Sequence, residues 1–100
     1  MIVEYSPIGI TVSDFHVMDW ARKTWENKKN NKENVLSIIT VSSQIAIHAF
    51  QVLVKEGFIP YNEISFLYNS KSIFIDKNGT FSNYPVGFCD SYSDILIKLI

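Results

Sequence analysis

The chain has 100 residues, 47% of them hydrophobic, which is enough for one small globular domain over residues 1–100 with a core of its own. Its 9 basic and 10 acidic residues give a net charge of -1, which excludes a broad electrostatic attraction to nucleic acid or to anionic membranes. The single cysteine cannot form an internal disulfide, and the sequence shows neither a signal peptide nor a membrane-spanning stretch, so it predicts a cytoplasmic protein.

The first eleven residues predict a strand and a short connection. Residues 2–5 are the strand, and Pro7 is predicted to close it because proline cannot donate a ladder hydrogen bond. Residues 8–11 are then a loop or a short edge piece.

A helix is predicted from Ser13 or Asp14, which are good N-caps, to about Asn27. Its apolar face consists of Val17, Trp20, Ala21 and Thr24. Trp25 follows Trp20 by five positions, so the two cannot share one narrow stripe. One of them is therefore predicted to point away from the core, where it either marks a partner surface or is partly covered by the lysine-rich loop.

The middle of the chain predicts a second strand and a second helix. The strand covers residues 35–40, and Ser42 or Ser43 caps a helix that ends at Gly57. This helix is apolar around more than half of its circumference, which predicts burial on two sides. Strand, helix, strand, helix in this order predicts parallel pairing of the first two strands.

The second half predicts antiparallel strands and a closing helix. Residues 63–68 alternate in polarity, residues 72–76 form another β-rich run, and Asn78-Gly79 is a strong hairpin turn signal. The apolar-rich residues 91–100 favour a helix over a strand. The predicted fold class is thus α/β, with a short parallel βαβα unit followed by antiparallel hairpin strands and a C-terminal helix.

One motif resembles the C-terminal sequence of the members of a known family. It comprises Gly79, Tyr84, Pro85, Gly87 and Phe88. This spacing is similar to the Asp-x-x-Gly, spacer, Trp-Pro-x-Gly-Phe-Phe motif at the C-terminus of RecF/SMC-like (ABC-type) AAA ATPases, which are common in bacterial defence and repair. Tyr84 stands for the family's Trp, and Cys89 stands for its second Phe.

Two upstream stretches carry the resemblance further. Residues 38–43 resemble the family's strand ending in Thr-His-Ser, and residues 2–10 resemble, more weakly, its Walker B strand. In this alignment Glu4 takes the place of the first acid, while Pro7 and Val41 replace the second acid and the sensor histidine. The resemblance covers only the C-terminal third or so of a family member, and no phosphate loop is present.

The resemblance therefore implies a remnant of a nucleotide site and not a working one. The remnant consists of Glu4, Thr40 and Ser42. Hydrolysis of a nucleoside triphosphate needs a phosphate cradle, an acid to hold magnesium and a carboxylate to orient water. Because most of these parts are missing, the sequence predicts no catalytic residue and no cofactor, and the turn after Thr40 is predicted to be a fold element.

The remaining reactive side chains give no site either. His16 and His48 lie in different predicted elements, and no metal-ligand spacing appears. Cys89 lies in an acidic and apolar stretch, which is typical of a buried, inert thiol. The lysine-rich residues 28–32 lack interleaved aromatic residues, so nucleic-acid binding by the chain on its own is not expected.

Three functions remain open. The first is a non-enzymatic interaction or regulatory protein, a pseudo-enzyme that binds a full-length ATPase or nuclease subunit or forms a homodimer. The second is an immunity protein or inhibitor that binds an unrelated protein. The third is a nucleotide-binding ATPase subunit that another chain completes. The predicted partner-binding residues are Phe15, Trp20, Arg22 and Trp25. The first or second strand is also predicted to leave an edge or face uncovered, since the family's N-terminal strands are missing.

Overall fold

Four strands form one mixed sheet in the computed structural model, which describes residues 1–13, 15–30, 37–83 and 85. The strands are β1 (Ile2–Ile10), β2 (Ile38–Val41), β3 (Ser65–Tyr68) and β4 (Lys71–Ile73). The helices are α1 (Val17–Asn30) and α2 (Gln44–Lys55), and a short 3-10 helix covers Tyr61–Glu63.

The sheet order is β2-β1-β3-β4. Strand β1 pairs in parallel with both β2 and β3, and β4 is antiparallel to β3. The predicted parallel pair and the predicted antiparallel hairpin are thus confirmed, whereas the parallel pairing of β3 with β1 was not predicted. The sequence predicted that either the first or the second strand would leave an edge or face uncovered. Within the described residues, the second strand, β2, lies at the edge of the sheet and β1 is internal.

Strand β1 does not end at Pro7 as predicted. Val41 of β2 lies opposite Tyr5 and again opposite Ile10, so residues 6–9 leave the ladder and return to it. Proline is tolerated in this excursion because no ladder hydrogen bond is needed there. The return brings the chain close to β2, since a Cβ on Gly9 would lie 2.5 Å from the carbonyl carbon of Val41.

Helix α2 lies between the sheet and α1. It begins after Ser43, whose extended backbone marks the N-cap position although its side chain makes no capping hydrogen bond. Gly57 follows the helix with φ +80°, a value that favours glycine. Both ends agree with the prediction, and so does the burial on two sides, because α2 contacts β1 and β2 as well as α1.

Helix α1 begins later and ends later than predicted. A hydrogen bond from the backbone N–H of His16 to the carbonyl oxygen of Ser13 forms a turn ahead of it, and regular helix starts at Val17. The prediction that one tryptophan points away from the core is wrong. Trp25 is only 7% exposed, and Trp20 is half-buried with its ring edge-on to that of Phe50 at 5.5 Å. Helix α1 packs against α2 through an apolar face that is wide enough to include both tryptophans, because the surface of α2 is broad.

The two faces of the sheet differ in how they are covered. Val3, Val41, Phe66 and Ile73 are fully buried on the side of the helices. Side chains alternate along each strand, so the intervening residues project from the opposite face. This open face comprises Ile2, Glu4, Ile38, Thr40, Ser65, Leu67 and Ser72. Neither described helix lies on it, because α2 packs on the other face and α1 packs on α2.

The Asn78-Gly79 turn is confirmed. Ile75 pairs with Phe81 in an antiparallel bridge, and the carboxylate of Asp76 accepts hydrogen bonds from the backbone N–H groups of Asn78 and Thr80 at 2.9 Å. The predicted C-terminal helix over residues 91–100 lies outside the described residues.

Candidate functional site

The carboxyl ends of β1, β2 and β3 meet at one edge of the sheet, where ligands bind in many open α/β sheets. The register places Glu4 opposite Thr40. The hydroxyl of Thr40 donates a hydrogen bond to Oε1 of Glu4 at 2.9 Å, and both side chains are half-buried. Two of the three residues predicted as a nucleotide-site remnant are therefore in direct contact.

Ser42, the third residue, makes its described hydrogen bonds elsewhere. Its hydroxyl donates to the carbonyl oxygen of Ile10 at 3.2 Å and lies 3.1 Å from the hydroxyl of Thr11. The backbone N–H of Ser42 also donates to the carbonyl oxygen of Ile10 at 3.0 Å. Ser42 thus fastens the end of β1 to the end of β2, which is a structural role.

An open cleft of about 420 Å³ lies beside Glu4 at this edge. Its walls include Tyr5 and Tyr68, whose ring centroids are 5.7 Å apart, and the hairpin turn Asn69-Ser70. Both turn residues have positive φ, 49° and 64°, which is the backbone of a tight two-residue hairpin. These residues bring a carboxylate, hydroxyls and an amide to the cleft, and no lysine or arginine is among the described residues that line it.

This chemistry does not suit a phosphate group. A carboxylate repels phosphate, and a phosphate site needs backbone amides or a cation directed at the ligand. Within residues 1–13, 15–30, 37–83 and 85, no three His, Cys, Asp or Glu side chains come close enough together to hold a metal ion. The cleft is therefore a weak candidate for nucleotide chemistry.

His48 is buried in α2 and belongs to a hydrogen-bonded chain. Its Nδ1 lies 2.8 Å from Oε1 of Gln51, whose Nε2 donates to the carbonyl oxygen of Gly79 at 2.6 Å. A carbonyl oxygen can only accept, so Gln51 must present its amide hydrogen to Gly79 and its oxygen to His48. The hydrogen of the neutral imidazole is therefore on Nδ1. Burial lowers the pKa of His48 from its usual value, and the hydrogen bond with Gln51 acts in the opposite direction.

We expect the stability of the protein to depend on His48 below neutral pH. As the pH falls below about 6.5, the imidazole of the unfolded chain takes up a proton while that of the folded chain stays neutral. Folding stability is then lost until the pH reaches the lower pKa of the folded state. Thermal unfolding of the parent and of His48→Gln between about pH 7.5 and pH 5 measures this loss. The variant should show the smaller decrease in Tm, and equal decreases would contradict the assignment.

The two most exposed of the large apolar side chains described are Ile8, in the excursion of β1, and Phe15, just ahead of α1. Ile8 is 91% exposed, Ile10 52% and Phe15 96%. We call the residues from Ile8 to Phe15, apart from Asp14, which lies outside the described residues, the apolar segment. Phe15 was predicted as a partner-binding residue from the sequence, but Ile8 and Ile10 were not. The exposure of Ile8 could have been inferred from its position directly after Pro7, because a proline that interrupts a strand takes the following residue out of the sheet.

The other predicted partner-binding residues are placed differently. Trp25 is part of the core, so its side chain is not free to anchor a partner, whereas Trp20 is half-buried and packs against the core. Arg22 is partly exposed and lies 3.4 Å from the carboxylate of Asp19, one helical turn away. Exposed pairs of this kind contribute little to stability, so Arg22 remains available for contacts.

Comparison with protein-family models, with curated proteins and with solved structures found no significant match to this chain. The resemblance to RecF/SMC-like ATPases therefore stays a prediction.

The residues of the C-terminal motif are described only in part. Gly79 is buried in the turn after β4, and Pro85 is half-buried. Tyr84, Gly87, Phe88 and the neighbouring Cys89 lie outside the described residues. Among the residues that are described, neither helix has the length and apolar character that crossing a bilayer requires.

Proposed function

We propose that this protein is a non-enzymatic interaction or regulatory protein that acts by binding another protein. The proposal rests on the apolar segment, where Ile8 and Phe15 leave 91% and 96% of their surface in water. Burial of such a side chain by a partner gains about 1.5 to 3 kcal/mol. Aromatic and aliphatic anchors of this kind carry much of the binding energy in protein interfaces.

The position of the apolar segment also supports contact with a large partner. It begins within the excursion of residues 6–9, and Ser42 holds it against β2 through the carbonyl oxygen of Ile10. Val12 in the middle of the segment packs against the core. Because the segment is held at Ile10 and at Val12, its backbone is already ordered near Ile8 and Phe15. Binding of a partner to these two side chains therefore costs little chain entropy.

The partner we propose is a full-length ATPase or nuclease subunit in the cytoplasm, or a second copy of this chain. This choice follows the resemblance, in which the present chain would be a pseudo-enzyme of a bacterial defence or repair system. The polar groups at the carboxyl edge support a loss of catalysis, since the hydroxyl of Thr40 donates to Glu4 and none of the described residues that line the cleft is a lysine or arginine.

We expect the purified chain neither to bind nor to hydrolyse ATP. The phosphate-cradling loop is missing from the sequence, and the carboxylate of Glu4 is among the residues that line the cleft. Titration calorimetry with ATP and Mg²⁺ should give no binding heat. Saturable binding at micromolar concentrations would overturn the pseudo-enzyme proposal and favour the ATPase subunit completed by another chain.

A double variant of the apolar segment tests the binding proposal. We expect Ile8→Glu combined with Phe15→Glu to weaken binding to the partner at least about tenfold, which corresponds to about 1.4 kcal/mol. Val52→Glu is the matched control, because Val52 is an apolar residue of α2 that is 41% exposed and does not belong to the segment. The partner is identified by pull-down from the native host and then titrated as a purified protein. Sedimentation of the same variants measures self-association.

The outcomes separate the alternatives. If the double variant and Val52→Glu lose binding equally, or if neither loses binding, the apolar segment is not part of the interface. A purified toxin as the partner, bound through the same segment, would favour the immunity protein or inhibitor.

A further inference from the structure

The Asn78-Gly79 turn contains a reactive pair of neighbouring groups. Asn78 is exposed, and it is the only asparagine of the chain that precedes a glycine. The backbone nitrogen of a residue that follows asparagine can attack the amide carbon of the asparagine side chain in water without an enzyme. Glycine favours this attack because it has no Cβ to hinder the approach. Asn78 is therefore the position of the sequence at which this reaction is chemically easiest.

The fold engages the backbone groups that the reaction needs. The N–H of Gly79 donates to the carbonyl oxygen of Asp76 at 3.0 Å and so closes a four-residue turn. The carboxylate of Asp76 accepts from the N–H groups of Asn78 and Thr80, and the N–H of Asp76 donates to the carbonyl oxygen of Thr80 at 3.0 Å. Attack requires the backbone of Asn78 to rotate until the nitrogen of Gly79 reaches the side-chain amide carbon. That rotation breaks the hydrogen bond that closes the turn.

Two further features hold the nitrogen of Gly79 back. Gly79 is buried, and its carbonyl oxygen accepts a hydrogen bond from Nε2 of Gln51 on α2 at 2.6 Å. The nitrogen also lies in the chain between the two N–H groups that the carboxylate of Asp76 binds. Attack requires this nitrogen to lose its proton, and a neighbouring carboxylate disfavours the negative charge that would result. The closed turn therefore opposes the reaction that its own sequence favours.

We propose that Asn78 is a site of spontaneous deamidation whose rate is controlled by the opening of this turn. In the open turn, the nitrogen of Gly79 forms a bond to Cγ of Asn78, and the bond from Cγ to Nδ2 breaks. Ammonia leaves with the proton of the Gly79 amide, and a five-membered succinimide ring remains. Water then adds to one of the two ring carbonyl groups, which opens the ring to aspartate or to isoaspartate.

The isoaspartate product cannot restore the original turn. Its backbone runs through the former side chain, which adds one methylene group between positions 78 and 79 and places a new carboxylate near Asp76. The longer turn displaces the carbonyl oxygen of Gly79 from Nε2 of Gln51. The modification is therefore a permanent record that the turn has opened, and it weakens the contact between the turn and α2.

Incubation of the full chain at mildly alkaline pH tests the site, with and without urea at an unfolding concentration. Mass spectrometry of digested samples measures aspartate and isoaspartate at position 78. We expect the reaction to be at least about tenfold slower in the folded chain than in urea, which corresponds to an opening free energy of about 1.4 kcal/mol or more. Asn62 is the control within the same chain, because it is exposed but precedes Glu63, and it should react far more slowly than Asn78 in urea.

Variants of the turn test the control by its hydrogen bonds. Asp76→Ala removes the acceptor of two N–H groups and leaves the Asn-Gly pair unchanged, so the folded variant should react several-fold faster than the parent while the rates in urea stay equal. Asp76→Asn keeps an acceptor oxygen without the charge and should give an intermediate rate. If circular dichroism shows that Asp76→Ala is unfolded, Gln51→Ala releases the carbonyl oxygen of Gly79 instead and should also accelerate the reaction.

Three results would overturn the proposal. If no isoaspartate forms at position 78 in urea, Asn78 is not a deamidation site. Equal rates with and without urea, or equal rates in the folded parent and in the folded variants, would show that the turn does not control the reaction. The isoaspartate form, separated by ion exchange, should have a lower Tm than Asn78→Asp, which carries the same charge on a backbone of normal length, and an equal Tm would contradict the displacement of Gly79. The apolar segment takes no part in this reaction, so these results are independent of the proposed binding function.

Discussion

Replacement of Trp25 by alanine should lower the free energy of unfolding by about 3 to 5 kcal/mol, a large part of what a domain of this size possesses. Trp25 is 7% exposed and belongs to the core together with Val17 and Ala21 of the same helix. Its removal deletes a large buried ring and leaves a cavity in the core. Denaturant unfolding followed by circular dichroism measures the loss.

Phe15→Ala is the matched control for this prediction. Phe15 is an aromatic residue just before α1, but it is 96% exposed, so its truncation should change the free energy of unfolding by no more than about 0.5 kcal/mol. The contrast distinguishes a core residue from a contact residue. If Trp25→Ala unfolds at the same denaturant concentration as Phe15→Ala, then Trp25 is not part of the core.

The second large effect is expected at Gly79. This residue has φ +78°, and a Cβ there would lie 2.8 Å from the backbone carbonyl oxygen of Gln51 and 3.2 Å from Cβ of Lys55. Gly79→Ala combines an unfavourable backbone conformation with a clash against α2, and it displaces the carbonyl oxygen that accepts the hydrogen bond from Gln51. We expect a loss of about 2 to 4 kcal/mol in the free energy of unfolding.

Gly57→Ala separates the two contributions. Gly57 has a similar φ of +80°, but nothing lies within 4 Å of the position of its Cβ. This variant should therefore lose only the conformational part, about 1 to 2 kcal/mol. Equal losses at the two glycines in denaturant titrations would show that the turn does not press against α2.

Local signals in the sequence predicted the elements whose form depends on neighbouring residues. Asn78-Gly79 identified the turn because glycine tolerates positive φ, and Ser43 and Gly57 identified the two ends of α2. The parallel pairing of β1 with β2 followed from the order of the elements. The position of β3 did not, because it depends on which side of β1 the chain returns to, and no local pattern specifies that.

The errors at β1 and α1 have a long-range cause. Pro7 is a valid signal for the end of a strand, but the ladder resumes at Ile10 because Gly9 allows the chain to approach Val41 closely. One of the two tryptophans was assigned to the outside from the periodicity of one helix considered alone, although Trp25 is buried and Trp20 is half-buried. Their burial depends on the width of the surface that α2 offers, including Phe50 beside Trp20.

The candidate site, like the fold, was predictable from the sequence only in part. The contact of Glu4 with Thr40 follows from the register of two parallel strands, so the sequence could place these residues together once the pairing was known. The separate role of Ser42 and the exposure of Ile8 could not be predicted, because both depend on the excursion of residues 6–9.

The double pairing of Val41 with Tyr5 and Ile10 has a consequence for how this protein can evolve. Both ends of the four-residue excursion are fixed against the same residue of β2, so the sheet on either side depends on Gly9 but little on residues 6–8. Doubling the length of a flexible loop costs only about 0.6 kcal/mol of closure entropy. Insertions and substitutions around Ile8 can therefore accumulate while the scaffold is retained, as long as Gly9 or an equivalent small residue keeps its place against Val41. Related proteins with the same sheet would be expected to diverge fastest there, and the excursion is a natural place to graft a new recognition sequence.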